Sequence, residues 1–205
     1  MDKSKITVGW IGTGVMGKSM AGHLMNNGYS VQVHNRTKAK ADALVEAGAT
    51  YVDNPIDIAK NCDFVFLMLG YPIDVEEMTL HPDRGILKHM KAGSYLIDHT
   101  TSSPGLAEKI AAEAKAFGVG SIDAPVSGGD IGAKAGKLVV MIGGEAKDVE
   151  ACTPLMNCFA GECKLMGKPG AGQHTKMANQ IMIASTMNGL CEALIYGHKA
   201  GLELD

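Results

Sequence analysis

Three stretches of the chain carry side chains suited to acid–base work on a small carboxylic acid. Lys176 and Asn179 stand three residues apart, a spacing that puts both side chains on one helix face. A lysine becomes a proton donor to a developing alkoxide once burial brings its pKa down toward neutrality. A helical lysine is also commonly just solvated, so its residue type leaves both readings open. Ser127-Gly128-Gly129 offers a hydroxyl and backbone N–H groups with no Cβ in front of them, an arrangement suited to a carboxylate. A tight structural turn is the alternative there. Thr100-Thr101-Ser102 adds further hydroxyls at the end of a strand-like run, Ser94 to Asp98, where ligands sit in parallel sheets.

A hydride carrier is the natural companion of such groups, and the N-terminal stretch has the pattern for one. Thr7 to Ile11 is a short apolar run. It leads into Gly12-Thr13-Gly14-Val15-Met16-Gly17, then a helical pattern, then the strand-like Ser30 to His34. Gly12 permits the tight turn, Gly14 lets a pyrophosphate approach the backbone, and Gly17 lets the helix pack on the strand. The helix start presents free N–H groups and its positive dipole end to the phosphates. After the second strand come Asn35-Arg36-Thr37, with no carboxylate to hold a ribose 2′-hydroxyl. Arg36 suits a 2′-phosphate in fork geometry, so NADP(H) is favoured, with NAD(H) the second candidate. Gly70-Tyr71-Pro72 follows the apolar run from Phe64 to Leu69, at the carboxyl end where ligands sit in such sheets.

The elements that must hold these groups alternate between short apolar strands and helices, which predicts a doubly wound, mainly parallel α/β sheet of Rossmann type. Strands are expected at 7–11, 30–34, 50–52, 64–69, 94–98, 119–123, 138–142 and 163–166. Helices are expected at 16–26, 38–46, 54–60 and 106–117, from Pro72, at 146–157, and from Gly170 to about Lys199. Asn54 and Ser103, each followed by proline, read as N-caps. The last helix is apolar on nearly every face and needs a cover. Lys176, Asn179, Gln180, Asn188 and Glu192 interrupt it too often for a membrane span. The expected division is residues 1–169 as a dinucleotide-binding domain and 170–205 as a linking helix opening a helical domain that is largely absent.

Composition narrows the function classes. A net charge of −3 over 205 residues, with no basic block, argues against nucleic acid. The five cysteines and seven histidines show no metal-ligand spacing, so no metal is expected and the cysteines read as reduced thiols. Met1 to Lys5 leads straight into the first strand with no room for a leader, so a cytoplasmic location is expected.

Four ordered motifs make the chain recognisable: Gly-Trp-Ile-Gly-Thr-Gly-Val-Met-Gly at 9–17, Asp-x-Thr-Thr-x-Ser-Pro at 98–104, Asp-Ala-Pro-Val-Ser-Gly-Gly at 123–129, and Gly-Ala-Gly-x-x-x-Lys-x-x-Asn-Gln at 170–180. Through them it resembles the β-hydroxyacid dehydrogenase family over essentially its whole length. The resemblance implies hydride transfer between a nicotinamide and a small 3-hydroxy acid or semialdehyde. Lys176 would be the acid/base and Asn179 would orient the substrate. Ser127, Gly128 and Gly129 would bind its carboxylate, Thr101 would approach the nicotinamide ribose, and Leu69 and Tyr71-Pro72 would line the cofactor cleft. Asn179-Gln180 looks more like the tartronate semialdehyde and glyoxylate reductase side of the family. The resemblance further implies a homo-oligomer, formed through the long helix and an all-helical second domain. A non-catalytic NADP-binding module, or an inactive fragment of such an enzyme, is the competing reading.

Overall fold

The computed structural model describes residues 2–204. Met1 and Asp205, the outer ends of the segments Met1–Lys5 and Leu202–Asp205, lie outside the described residues. The central strand β1 (Thr7–Ile11) pairs in parallel with β2 (Ser30–His34) on one side and β4 (Phe64–Leu67) on the other. With β3 (Thr50–Tyr51), β5 (Tyr95–Asp98) and β6 (Gly120–Asp123), these form a parallel array in the order β3-β2-β1-β4-β5-β6. The strand order reverses at β1 and β4, which opens a crevice beyond their carboxyl ends. β7 (Val126–Ser127) and β8 (Leu138–Gly144) extend the sheet with antiparallel pairings, and β9 (Ala160–Gly167) lies parallel to β8.

Strand alternation divides the core between two faces. Trp10, Phe66 and Ile97 point to one side, where Phe159 closes an aromatic cluster. Ile11, Val65, Leu67 and Leu96 point to the other, beneath Ile58, Ile86 and Ile110. Both faces are therefore covered, as a parallel sheet requires. The helices are α1 (Val15–Asn26), α2 (Asp42–Glu46), α3 (Pro55–Asn61), α4 (Pro72–Leu80), α5 (Pro104–Ala116), α6 (Gly129–Ala135), α7 (Ala146–Met156) and α8 (Ala171–Lys199). Asn54 Oδ1 accepts the Ile56 N–H at 3.0 Å, and Ser103 Oγ accepts the Leu106 N–H at 3.2 Å, so both expected caps form.

Several boundaries differ from expectation. β4 ends at Leu67 rather than 69, because the Leu69 N–H leaves the strand ladder and donates to Thr100 Oγ1 at 2.9 Å. Lys38 to Ala41 is a 3-10 turn preceding α2, not one continuous helix. The glycine-rich stretch after Ser127 folds as α6 and stops at Gly136, whose φ of 65° lies in the left-handed region. β9 begins at Ala160 instead of Cys163.

Helix α8 has 29 residues, about 43 Å of length at 1.5 Å per residue. Gly172, Gln173 and Lys176 in its first two turns are buried. From Gln180 onward it is exposed apart from Gly197, and Ile181, Met182, Ile195 and Tyr196 face outward.

Candidate active site

The glycine loop between β1 and α1 is shaped by three different constraints. Gly12 has φ of 101°, and a Cβ there would stand 2.2 Å from the Met68 carbonyl oxygen. A Cβ on Gly17 would stand 2.0 Å from the Gly12 oxygen, so α1 packs against the loop only because Gly17 is bare. Gly14 is the opposite case: no atom lies within 4 Å of where its Cβ would be. That free space beside a helix N-terminus fits a phosphate. Trp10 Nε1 donates to the Gly12 carbonyl at 3.0 Å, and Asn35 Oδ1 accepts the Thr13 N–H at 2.9 Å. The buried Thr13 Oγ1 has no hydrogen-bond partner.

The loop opens on a cleft of about 960 Å³ whose walls include Gly12, Gly14, Asn35, Arg36, Leu69 and Tyr71. Thr37 and Gly70 also line it. Of the other expected cofactor residues, Thr13 lies buried under the loop and Val15, Met16 and Gly17 form the first turn of α1. Pro72 opens α4. Lys40, Asp74 and Arg84 line the cleft as well and were not singled out from the sequence. Lys40 was within reach of that reading, because it stands four residues beyond Arg36 as a second cation. Asp74 Oδ1 lies 3.7 Å from Arg36 Nη1, while Asp74 Oδ2 accepts the Tyr71 N–H at the start of α4.

The second group of residues gathers at the carboxyl ends of β5 and β6. Asp98 is buried and accepts the Thr100 N–H at 2.9 Å. Burial raises its carboxyl to about 7 against the pull of that hydrogen bond, and the nearby Asp123 carboxylate adds to the rise. His99 is fully buried, with Nδ1 2.6 Å from the Ala124 carbonyl. A carbonyl only accepts, so Nδ1 carries the proton. The bare Nε2 has no hydrogen-bond partner. The imidazole stacks on Phe66 at 5.7 Å, and burial lowers its pKa to about 4, so it is neutral.

Helix α8 is fastened to this region at its start. Asp123 Oδ1 accepts the Gly170 N–H at 2.7 Å, and Oδ2 accepts the Gln173 N–H at 2.8 Å. The Gln173 side chain accepts from the Ser102 N–H at 2.9 Å and donates to the Thr100 carbonyl at 2.7 Å. These bonds join the 100–102 loop to the start of α8; none of them reaches Ser127, Gly128 or Gly129. Thr101 sits exposed in the loop that Gln173 holds. Ser127, half-buried, stands four residues after Asp123, with the exposed Gly128 and Gly129 beyond it. Lys176, 8% exposed, follows Gln173 by one helical turn, and burial lowers its pKa. Asn179 is half-buried, its amide 3.4 Å from Gln180 Oε1. Asp123 and Gln173 received no role from the sequence. The only signal was their type: an acid closing a strand, and an amide in a helix's first turn.

Comparison with known proteins shows the family of the chain. A family model described as the NAD binding domain of 6-phosphogluconate dehydrogenase matches residues 7–167. The chain belongs to the β-hydroxyacid dehydrogenase family. A second model, described as NAD-binding of NADP-dependent 3-hydroxyisobutyrate dehydrogenase, matches residues 170–205. The chain is 50% identical over 199 residues to an uncharacterised oxidoreductase of Bacillus subtilis, covering 97% of this chain and 69% of that one. It is 51% identical over 201 residues to a probable mitochondrial 3-hydroxyisobutyrate dehydrogenase-like protein of Arabidopsis thaliana, covering 98% and 60%. The structure of 3-hydroxyisobutyrate dehydrogenase from Mycobacterium tuberculosis with L-serine matches with a TM-score of 0.90 at 28% identity, covering 97% and 67%. The chain thus spans between 60% and 69% of the length of these relatives. Family membership makes it a nicotinamide-dependent oxidoreductase of the 3-hydroxyisobutyrate dehydrogenase type.

Proposed function

We propose that the chain binds NADP(H) and reduces a small semialdehyde, or glyoxylate, to the corresponding hydroxy acid. The observation that carries this reading is Lys176: a buried lysine of lowered pKa, fixed one turn beyond the joint between α8 and the carboxyl ends of β5 and β6. The open space at Gly14, the unpartnered hydroxyl of Thr13 and the cleft walls fit a dinucleotide. Gly12, Gly14, Leu69 and Tyr71 would hold its body, and Arg36, with Asn35 and Thr37, its 2′-phosphate. The bound nicotinamide supplies or accepts the hydride.

The chain's own residues supply the rest. The Lys176 ammonium donates its proton to the substrate oxygen as that oxygen gains negative charge, and the amine takes the proton back in the oxidative direction. Asn179 orients the oxygen. Ser127 Oγ and the Gly128 and Gly129 N–H groups hold the carboxylate. L-serine, present with the Mycobacterium tuberculosis relative, is itself a carboxylic acid with a hydroxyl on C3. Arg36 must exchange its contact with Asp74 for the phosphate. The five free cysteines support a reducing compartment, for which we propose the cytoplasm. Among the described residues no helix is long and apolar enough to cross a membrane.

The test combines binding and turnover. NADPH is expected to bind at least about tenfold more tightly than NADH, the yield of one charge-assisted contact from Arg36. Equal dissociation constants would end the NADP assignment. Lys176→Ala is expected to lower kcat for a small semialdehyde by about 10²–10⁴-fold with NADPH affinity unchanged. Reduction needs protonated Lys176, so its rate falls as pH rises through the lowered pKa; oxidation falls in the opposite direction, toward acid. Undiminished turnover in Lys176→Ala would remove the lysine from the reaction.

A further inference from the structure

We propose that Gln173 is a positioning residue which, together with Asp123, locks the first turn of α8 against the ends of β5 and β6 and so sets where Lys176 stands. The proposal rests on the reading of Lys176 as the acid/base.

Gln173 is fully buried, and its backbone N–H and both ends of its amide are engaged. One side-chain partner is an N–H, of Ser102, and the other a carbonyl, of Thr100. Only one orientation of the amide satisfies both, so the side chain has a single arrangement. It bridges 71 residues of sequence to Ser102 and ties the helix to the loop after β5. Asp123 makes the matching tie to β6. Its two oxygens take the N–H groups of Gly170 and Gln173, which no residue within the helix can satisfy. The carboxylate also faces the positive end of the helix dipole.

The joint is close. A Cβ on Gly143 would stand 2.4 Å from Asp123 Oδ1, and one on Gly172 would stand 2.5 Å from the Met141 carbonyl oxygen. Strand and helix therefore approach this closely only because both positions are glycine. Lys176 lies at i+3 from Gln173, one turn further on the same face. Burial is what lowers its pKa, and that burial exists only while the turn before it is held down. Beyond Gln180 the helix is exposed, so among the described residues its orientation is set at this joint.

The proposal predicts that breaking the joint releases Lys176 while the fold persists. The experiment is acylation of the purified chain by an N-hydroxysuccinimide ester across a pH series, with each lysine followed by peptide mass spectrometry. In the parent chain Lys176 is expected to titrate below the ordinary lysine value. In Gln173→Leu its midpoint is expected to rise toward the ordinary lysine value, with circular dichroism unchanged. Where a semialdehyde is turned over, kcat falls about 10²-fold, the scale of a misplacement near 1 Å. Asp123→Asn gives a second reading that is independent of the first. Removing a negative charge would by itself lower the lysine's midpoint, whereas loosening the joint raises it. A rise in either folded variant supports the proposal; an unchanged or lowered midpoint in both overturns it. The titration reads the joint even if Lys176→Ala leaves turnover intact, and in that case the assignment of Lys176 fails separately.

Discussion

Burial of His99 ties the stability of the fold to pH. It stays neutral in the folded chain down to about pH 4, whereas in the unfolded chain it takes up a proton near 6.5. Between those values the unfolded state binds more protons, so the folded state loses stability as pH falls, by about 3 kcal/mol in all. Asp98 acts in the opposite sense. Its folded pKa of about 7 lies above its unfolded value, so its contribution is present in acid and is lost as pH rises through 7. The histidine's share is isolated by His99→Phe, which keeps an aromatic ring between Phe66 and Phe159. Relative to the parent chain, this variant should gain about 3 kcal/mol between pH 7 and pH 4 in urea-unfolding free energy; parallel profiles would refute the assignment. This polar layer is also where the sequence was least legible at the residue scale. Gly12 and Gly14 follow a short-range spacing, and the structure puts them with Arg36 on one cleft. Asp123 and Gln173 bond to backbone groups up to 73 residues away, and no local pattern encodes that.

At the scale of elements, the legible features were those with local causes. The runs at β1, β4 and β5 are apolar because both faces of the sheet are covered, and the caps at Asn54 and Ser103 carry their own side-chain acceptors. Ser103→Ala is expected to cost about 1 kcal/mol of unfolding free energy through the lost α5 cap. It should leave NADPH affinity unchanged, because Ser103 does not line the dinucleotide cleft; calorimetry and a binding titration check both halves. The illegible features had non-local or compensated causes. α6 has only seven residues, opens on two glycines of positive φ and is closed by a third, so it reads as loop. The end of β4 depends on Thr100, 31 residues after Leu69.

At the scale of the whole molecule, the fold has two well-covered cores and one uncovered helix. Ile181, Met182, Met187, Leu190, Ile195 and Tyr196 are each at least half exposed on α8. Burying them at about 25 cal/mol per Å² would be a substantial driving force for association. We therefore propose that this uncovered helix packs against a second copy of the chain. Sedimentation equilibrium at micromolar concentration should show a dimer or higher species that Leu190→Glu with Ile195→Glu dissociates; a monomeric parent chain would refute it.

The chain's single tryptophan has one further consequence. Trp10 lies fully buried in the central strand, stacked 5.2 Å from Phe66, with its indole N–H committed to the carbonyl of Gly12. The only indole emitter in the molecule is thus wired to the turn on which a pyrophosphate would rest. Fluorescence excited at the indole band should shift or quench when NADPH loads, with no label attached, and a signal that stays constant through a saturating titration would place the dinucleotide elsewhere.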